Sequence, residues 1–260
     1  MVRKSVLRPR IATIYLGEAQ SPRMATSIHS KLPWKDFVRT IHSIPANRTS
    51  GLRLGNGEDP SLAWKLAQVF CRIFTTCCFD LKVYGQKHVP RHGGVLLVAN
   101  HQSYLDPILV GVRLERPLNY IAKSELFENR HLARLLRWLN SFPVRQGAGD
   151  VGAIRETIAR LQAGRALIIF PEGSRTNNGE LLPIERGVSL ILRRVRVPVI
   201  PVIIDGSYQA WPTDQSIFQP RKIRLSYGPA MEVSGLNDKE IVRLIEKTLR
   251  RMLEEMRIAA

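Results

Sequence analysis

The sequence predicts an α/β domain, a central mixed sheet covered by helices. Two unbroken apolar runs of strand length, Val95–Ala99 and Ala166–Phe170, carry most of that prediction, because a strand covered on both faces shows no alternation. Around them lie stretches whose apolar residues recur three and four apart, the period of an amphipathic helix. Strands alternating with such helices define the class. With 44% hydrophobic residues in 260, the chain is ordinary for a globular protein, which excludes global disorder.

Residues 1–60 show no sustained period and end in a turn-rich stretch, Gly51–Pro60, so they predict a poorly ordered extension, or a natural start further on, for instance at Met24. From 61 to 79 the pattern is helical, with Leu62, Leu66, Val69, Phe70, Ile73, Phe74 and Cys77 on one side and Lys65, Gln68, Arg72 and Thr76 on the other. Two packings fit this helix. Its apolar face covers the core, or it lies in a membrane interface with Trp64 nearby and Lys65 and Arg72 toward phosphates. Leu81–Tyr84 reads as a short strand, and Pro90–Gly94 as the turn before the Val95–Ala99 strand.

Glu125–Leu139 carries a helical pattern through Leu126, Leu132, Leu135, Leu136 and Leu139, and Ser141–Arg145 reads as strand or loop. Asp150 caps a helix to Gln162 that turns Val151, Ile154, Ile158 and Leu161 inward and stops at Gly164. Gly187–Arg194 is helical, and Val197–Ile204 and Lys222–Tyr227 are strands. Asn237 or Asp238 caps a last helix bearing Ile241, Leu244, Ile245, Leu249 and Leu253.

Lys plus Arg number 39 against 22 Asp plus Glu, a net charge of 39 − 22 = +17, which points to nucleic acid, an anionic membrane face or phosphorylated substrates. A basic nucleic-acid or membrane module is the non-enzymatic reading, but no zinc-finger or aromatic-interleaved RNA pattern occurs and the charge is dispersed. No apolar run reaches the ~18 residues of a membrane span. Cys71, Cys77 and Cys78 are odd in number and clustered, which argues against a disulfide framework and for a reducing compartment. His88, His92, His101 and His131 lack ligand spacing, so no metal is expected.

Chemistry concentrates in two segments, each just beyond an apolar strand, where α/β folds open a crevice. The first is Asn100-His101-Gln102-Ser103-Tyr104-Leu105-Asp106-Pro107. A carboxylate can hold an imidazole in one tautomer while the other ring nitrogen accepts a hydroxyl proton. Positions five apart lie roughly 140° around an ideal helix, so the pair converges only if the segment bends. Asp106-Pro107 suits both a bend and a helix start, in which Asp106 would be only a cap. The second segment is Phe170-Pro171-Glu172-Gly173-Ser174-Arg175-Thr176. Gly173 allows close backbone approach and an amide donor for an anion, and Arg175 offers a planar cationic fork for phosphate.

These blocks, with their order and separation, resemble the 1-acyl-sn-glycerol-3-phosphate acyltransferase family of glycerolipid acyltransferases. Ile121-Ala122-Lys123-Ser124-Glu125-Leu126, Phe142-Pro143-Val144-Arg145, Gly149-Asp150 and Val197-Pro198-Val199-Ile200-Pro201-Val202 support it. The resemblance covers about residues 80–230 and implies that 61–260 is an acyltransferase domain, with 61–79 as an amphipathic membrane-interface helix. It implies His101 as the base for the acceptor hydroxyl, Asp106 as its orienting partner, Glu172 and Gly173 as the walls of the acceptor site, and Arg175 as the glycerol-phosphate ligand. Lys123 and Arg145 match further phosphate positions, although Pro143-Val144 departs from the aliphatic–acidic pair usual before that Arg.

The implied reaction moves a fatty acyl chain from acyl-CoA or acyl-carrier protein to the sn-2 hydroxyl of lysophosphatidic acid, giving phosphatidic acid. It needs no bound cofactor and would take place peripherally on the cytoplasmic face of the cell membrane. No Gly-x-Ser-x-Gly turn suggests an acyl-enzyme, consistent with direct attack on the thioester. Another lyso-lipid, such as a lyso-ornithine lipid, is the alternative acceptor.

Overall fold

The computed structural model describes residues 62–145, 150–212, 215 and 217–259; the expectations for residues 1–60 and for Gly149 lie outside them. In chain order the elements are α1 (Leu62–Phe79), β1 (Lys82–Tyr84), β2 (Val95–Ala99), α2 (Asp106–Val112), β3 (Leu118–Lys123), α3 (Arg130–Trp138) and β4 (Ser141–Val144). They continue as α4 (Val151–Gln162), β5 (Ala166–Ile169), α5 (Gly187–Leu192), β6 (Val199–Asp205), the short α6 (Ser207–Ala210), β7 (Arg224–Tyr227) and α7 (Asp238–Ile258). The seven strands form one sheet in the order β1-β7-β6-β2-β5-β3-β4. Every pairing is parallel except β6 with β7, so the sheet is mixed, as predicted.

Alternate residues of the central strands feed two cores, as the two-residue period of a strand requires. Leu96 and Val98 of β2, Leu167 and Ile169 of β5, and Val199 and Ile203 of β6 pack with α4, α5 and α7. Val95, Leu97 and Ala99, with Ala166, Ile168, Ile200, Val202 and Ile204, pack on the opposite face with α2 and the inner side of α1. Burial on both faces explains why these strands read as continuous hydrophobe. Asn237 caps α7 in a reciprocal capping box with Glu240, and Asp150 caps α4, whose chain turns at Gly164 with φ +79°.

Two predicted elements differ. The Glu125–Leu139 pattern is not one helix but a 3₁₀ turn, Ser124–Phe127, followed by α3. The break falls at Asn129, whose side chain accepts the amides of His131 and Leu132 and starts α3 afresh. In α1 two of the four polar side chains, Gln68 and Arg72, face the protein, while Lys65 and Thr76 are exposed. Gln68 Nε2 donates to Leu114 O at 2.6 Å and Arg72 Nε to Val112 O at 2.8 Å, satisfying carbonyls at the end of α2. Leu62, Leu66, Val69, Phe70 and Ile73 are 50% to 73% exposed, and of the apolar residues assigned to that side Phe74 packs against the core, so most of the stripe does not cover it. No described helix is long and apolar enough to cross a membrane.

Candidate active site

β2, β5, β3 and β4 run parallel, so the segments following them emerge at one edge of the sheet. Asn100 ends β2 by imitating a backbone rung. Its Nδ2 donates to Ile204 O at 2.9 Å and its Oδ1 accepts the Ile204 amide at 2.8 Å, pinning the loop to β6. The loop is not helical, and it folds back on Asp106. One oxygen, Asp106 Oδ2, accepts the amides of Gln102 (2.6 Å) and Ser103 (2.7 Å) and faces His101 Nδ1 at 2.8 Å. This supplies the bend that the five-residue spacing requires. It also corrects the cap expectation: α2 has no side-chain cap, and Asp106 serves the loop before it.

Two donors already point at Oδ2, so the network assigns the imidazole proton to Nδ1 and leaves the lone pair on Nε2, which has no hydrogen-bond partner among the described residues. The ring lies against Phe170, centroids 4.1 Å apart and planes 19° apart. Asp106 is fully buried and His101 partly exposed. A carboxylate-held imidazole with a free nitrogen can act as a general base.

Glu172 ties the second segment to the first. Its Oε1 accepts the His101 amide at 2.9 Å and its Oε2 the Leu182 amide at 3.0 Å, while the Thr176 amide donates to His101 O at 3.0 Å. Burial pushes the Glu172 carboxyl up to about 7, more than the Leu182 and His101 amides and Arg250 pull it down; the Asp106 charge adds to the rise. Gly173 turns with φ +70°, and its amide donates to Phe170 O at 3.1 Å. The amide expected for an anion is thus engaged in the turn, and glycine is required there by the left-handed backbone.

Arg175 lies over Tyr104, its guanidinium carbon 3.5 Å from the ring centroid, and its buried Nη1 has no hydrogen-bond partner among the described residues. A stacked arginine keeps its in-plane donors available for an oxyanion. Lys123 closes β3 and Arg145 follows β4, roughly 10 and 14 Å along the sheet from β2 at the usual strand spacing. Both are exposed, Arg145 with its Nε 3.8 Å from Asp150 Oδ2. The structure therefore brings His101, Asp106, Glu172, Gly173 and Arg175 into one connected cluster and sets Lys123 and Arg145 farther along the same edge.

Sequence reasoning missed Tyr104, Phe170 and Trp211 as parts of this cluster. Tyr104 packs on Trp211 (5.7 Å), Trp211 on Phe218 (6.2 Å), and Phe218 on Phe74 of α1 (5.6 Å). Phe170 and Tyr104 lie inside the two motifs and were open to notice. Trp211 and Phe218 join only through the fold.

A carboxylate-held imidazole and a stacked arginine thus follow two neighbouring parallel strands at the carboxyl edge of a mixed sheet, and this edge falls within the Acyltransferase family model, which matches residues 80–205. The crystal structure of the 1-acyl-sn-glycerophosphate acyltransferase PlsC from Thermotoga maritima superposes with a TM-score of 0.64 at 30% identity, covering 74% of this chain and 78% of that one. A 1-acyl-sn-glycerol-3-phosphate acyltransferase of Bacillus subtilis is 28% identical over 180 residues, 68% of this chain and 87% of the relative. The alpha form from Ovis aries is 28% identical over 183 residues, and the chain spans 63% of its length. The chain belongs to the 1-acyl-sn-glycerol-3-phosphate acyltransferase family and is an acyltransferase of phospholipid biosynthesis.

Proposed function

We propose that the chain transfers a fatty acyl group from a thioester, acyl-CoA or acyl-carrier protein, to the free sn-2 hydroxyl of 1-acyl-sn-glycerol 3-phosphate, giving phosphatidic acid. The observation that carries this reading is the pairing of His101 Nδ1 with Asp106 at 2.8 Å, which leaves Nε2 unengaged. Nε2 accepts the hydroxyl proton as the acceptor oxygen bonds to the thioester carbonyl carbon. The carbonyl π pair moves onto oxygen; its return breaks the C–S bond, and the sulfur leaves with the proton from His101 as a thiol. A thioester needs no further activation, so no enzyme nucleophile enters.

Arg175 receives the acceptor phosphate, and Lys123 and Arg145 extend the cationic strip toward it. Glu172 and Gly173 shape the site through the loop they hold rather than through free donors of their own. The exposed apolar stripe of α1 rests in the interface of the cell membrane on its cytoplasmic side, bringing the catalytic edge to its lipid substrate.

Thiol release measured with a panel of lyso-lipids, with both donor types and with His101→Ala tests the reading. A positioned base contributes ~10²–10⁴-fold, so His101→Ala should lose nearly all transfer while folding as the parent does. Equal turnover of acceptors with and without the phosphate would assign the chain to another lyso-lipid instead.

A further inference from the structure

We infer that α3, together with the 3₁₀ turn before it, is a second lipid-docking surface, one that binds an anionic bilayer. At about 100° per residue, Trp138, His131, Leu135 and Leu132 occupy one arc of this helix, and Arg137, Arg130 and Arg134 the arc beside it. Ala133 is buried and Leu136 half-buried, so the remaining arc faces the domain. Leu132, Leu135 and Trp138 are 36%, 49% and 42% exposed, and Leu126 of the 3₁₀ turn adds to them. An apolar arc of α3 is thus partly turned to solvent, and a contiguous exposed patch of this kind rimmed by polar residues marks an interaction site.

Charge selects the partner. α3 contains no acidic residue, and none of its three arginines forms an ion pair with a described carboxylate; Arg137 lies over the Phe127 ring instead. An apolar arc bordered by arginines, with Trp at the boundary, matches the layering of a phospholipid surface: acyl region, interface, phosphates.

Position supports the same partner. The β2–α2–β3 and β3–α3–β4 crossovers move the same way across the sheet, so right-handed connection puts α3 on the face that carries α2 and α1. α3 also begins just past Lys123, at the edge where His101 emerges. With α1, it would hold that edge against the bilayer at two points instead of one hinge. This inference rests on the proposed use of a membrane lipid, but its test is binding and not turnover.

The full chain is mixed with vesicles of phosphatidylcholine alone and of phosphatidylcholine with phosphatidylglycerol, and bound protein is separated by flotation. The parent should prefer the anionic vesicles. Arg130→Gln/Arg134→Gln/Arg137→Gln should bind them on the order of a hundredfold more weakly, about fivefold for each arginine. Leu135→Ser/Trp138→Ser should weaken binding to both vesicle types. The arginine variant touches only exposed side chains, so it carries the test if the apolar variant fails to fold.

Unchanged binding of the arginine variant, or a parent indifferent to phosphatidylglycerol, overturns the inference. So does duplex DNA that competes with anionic vesicles and is itself released by the arginine substitutions. Acyl transfer to a monomeric short-chain acceptor, measured alongside, separates the two readings: its absence in the parent removes the proposed function, while arginine-dependent vesicle binding would still establish α3 as a lipid surface.

Discussion

At the scale of single residues, Asp106 Oδ2 gathers three N–H groups while fully buried, so shape and chemistry at this position separate experimentally. Asp106→Asn keeps an acceptor oxygen but not the charge that stabilises an imidazolium. It should lose on the order of 10²-fold or more in kcat with little change in Tm. Asp106→Ala strands two loop amides and should cost several kcal/mol, at ~1–3 kcal/mol for each unsatisfied group; kcat and melting curves measured on both variants decide. Glu172 gives a pH signature. Folding raises its carboxyl from 4.5 to about 7, so between these values the native state holds more protons than the unfolded chain. Stability is then fully present below the unfolded value and falls as pH rises through the folded one, by on the order of 3 kcal/mol. Melting temperatures of the parent should drop across that window relative to Glu172→Gln; parallel curves would remove the effect. Tyr104→Ala should raise KM for lysophosphatidate more than it lowers kcat, with Tyr104→Phe near the parent, because the ring supports Arg175 through its face.

At the scale of elements, legibility follows burial. β2 and β5 were readable because both faces are covered. β3 was not, because Asn119 lies inside it, bonded to Ala166 O, and Lys123 ends it. The missed boundary at Asn129 was a cap hidden in a longer apolar period. The period of α1 was visible, but not which side faces inward, since that depends on two polar side chains finding the end carbonyls of α2. Leu66→Gln/Phe70→Gln should therefore leave the unfolding free energy within about 1 kcal/mol of the parent, as surface changes do. Vesicle affinity should drop by a hundredfold or more, ~10²–10⁴-fold at ~1.5–3 kcal/mol for each of the two apolar side chains no longer buried in lipid. A large loss of Tm would place that face in the protein core after all. Conversely Phe79→Ala, on the buried side of the same helix, should cost ~3–5 kcal/mol.

At the scale of the whole molecule, the two motifs were legible as a pair although β5 stands immediately beside β2 only after 65 or more intervening residues have folded; parallel pairing brings their ends to one edge. What the sequence could not supply is how far Lys123 and Arg145 stand from His101, because that is set by strand order. The net charge of +17 acts at this scale too, and salt divides its contribution from that of the apolar stripes. The screening length falls from ~10 Å at 0.1 M to ~3 Å at 1 M, so attraction to an anionic surface fades while apolar burial does not. Binding to anionic vesicles should decline with salt to a plateau, and the plateau should fall in Leu66→Gln/Phe70→Gln to what the apolar arc of α3 alone supplies. Turnover of a vesicle-borne acceptor should track the bound fraction through the titration, whereas turnover of a monomeric acceptor should change little. Flotation and thiol release on the same samples check this. A bound fraction that ignores salt would mean that the basic surplus serves something other than the membrane, and a monomeric acceptor lost in step with the vesicle-borne one would move the salt effect into the phosphate site proposed at Arg175.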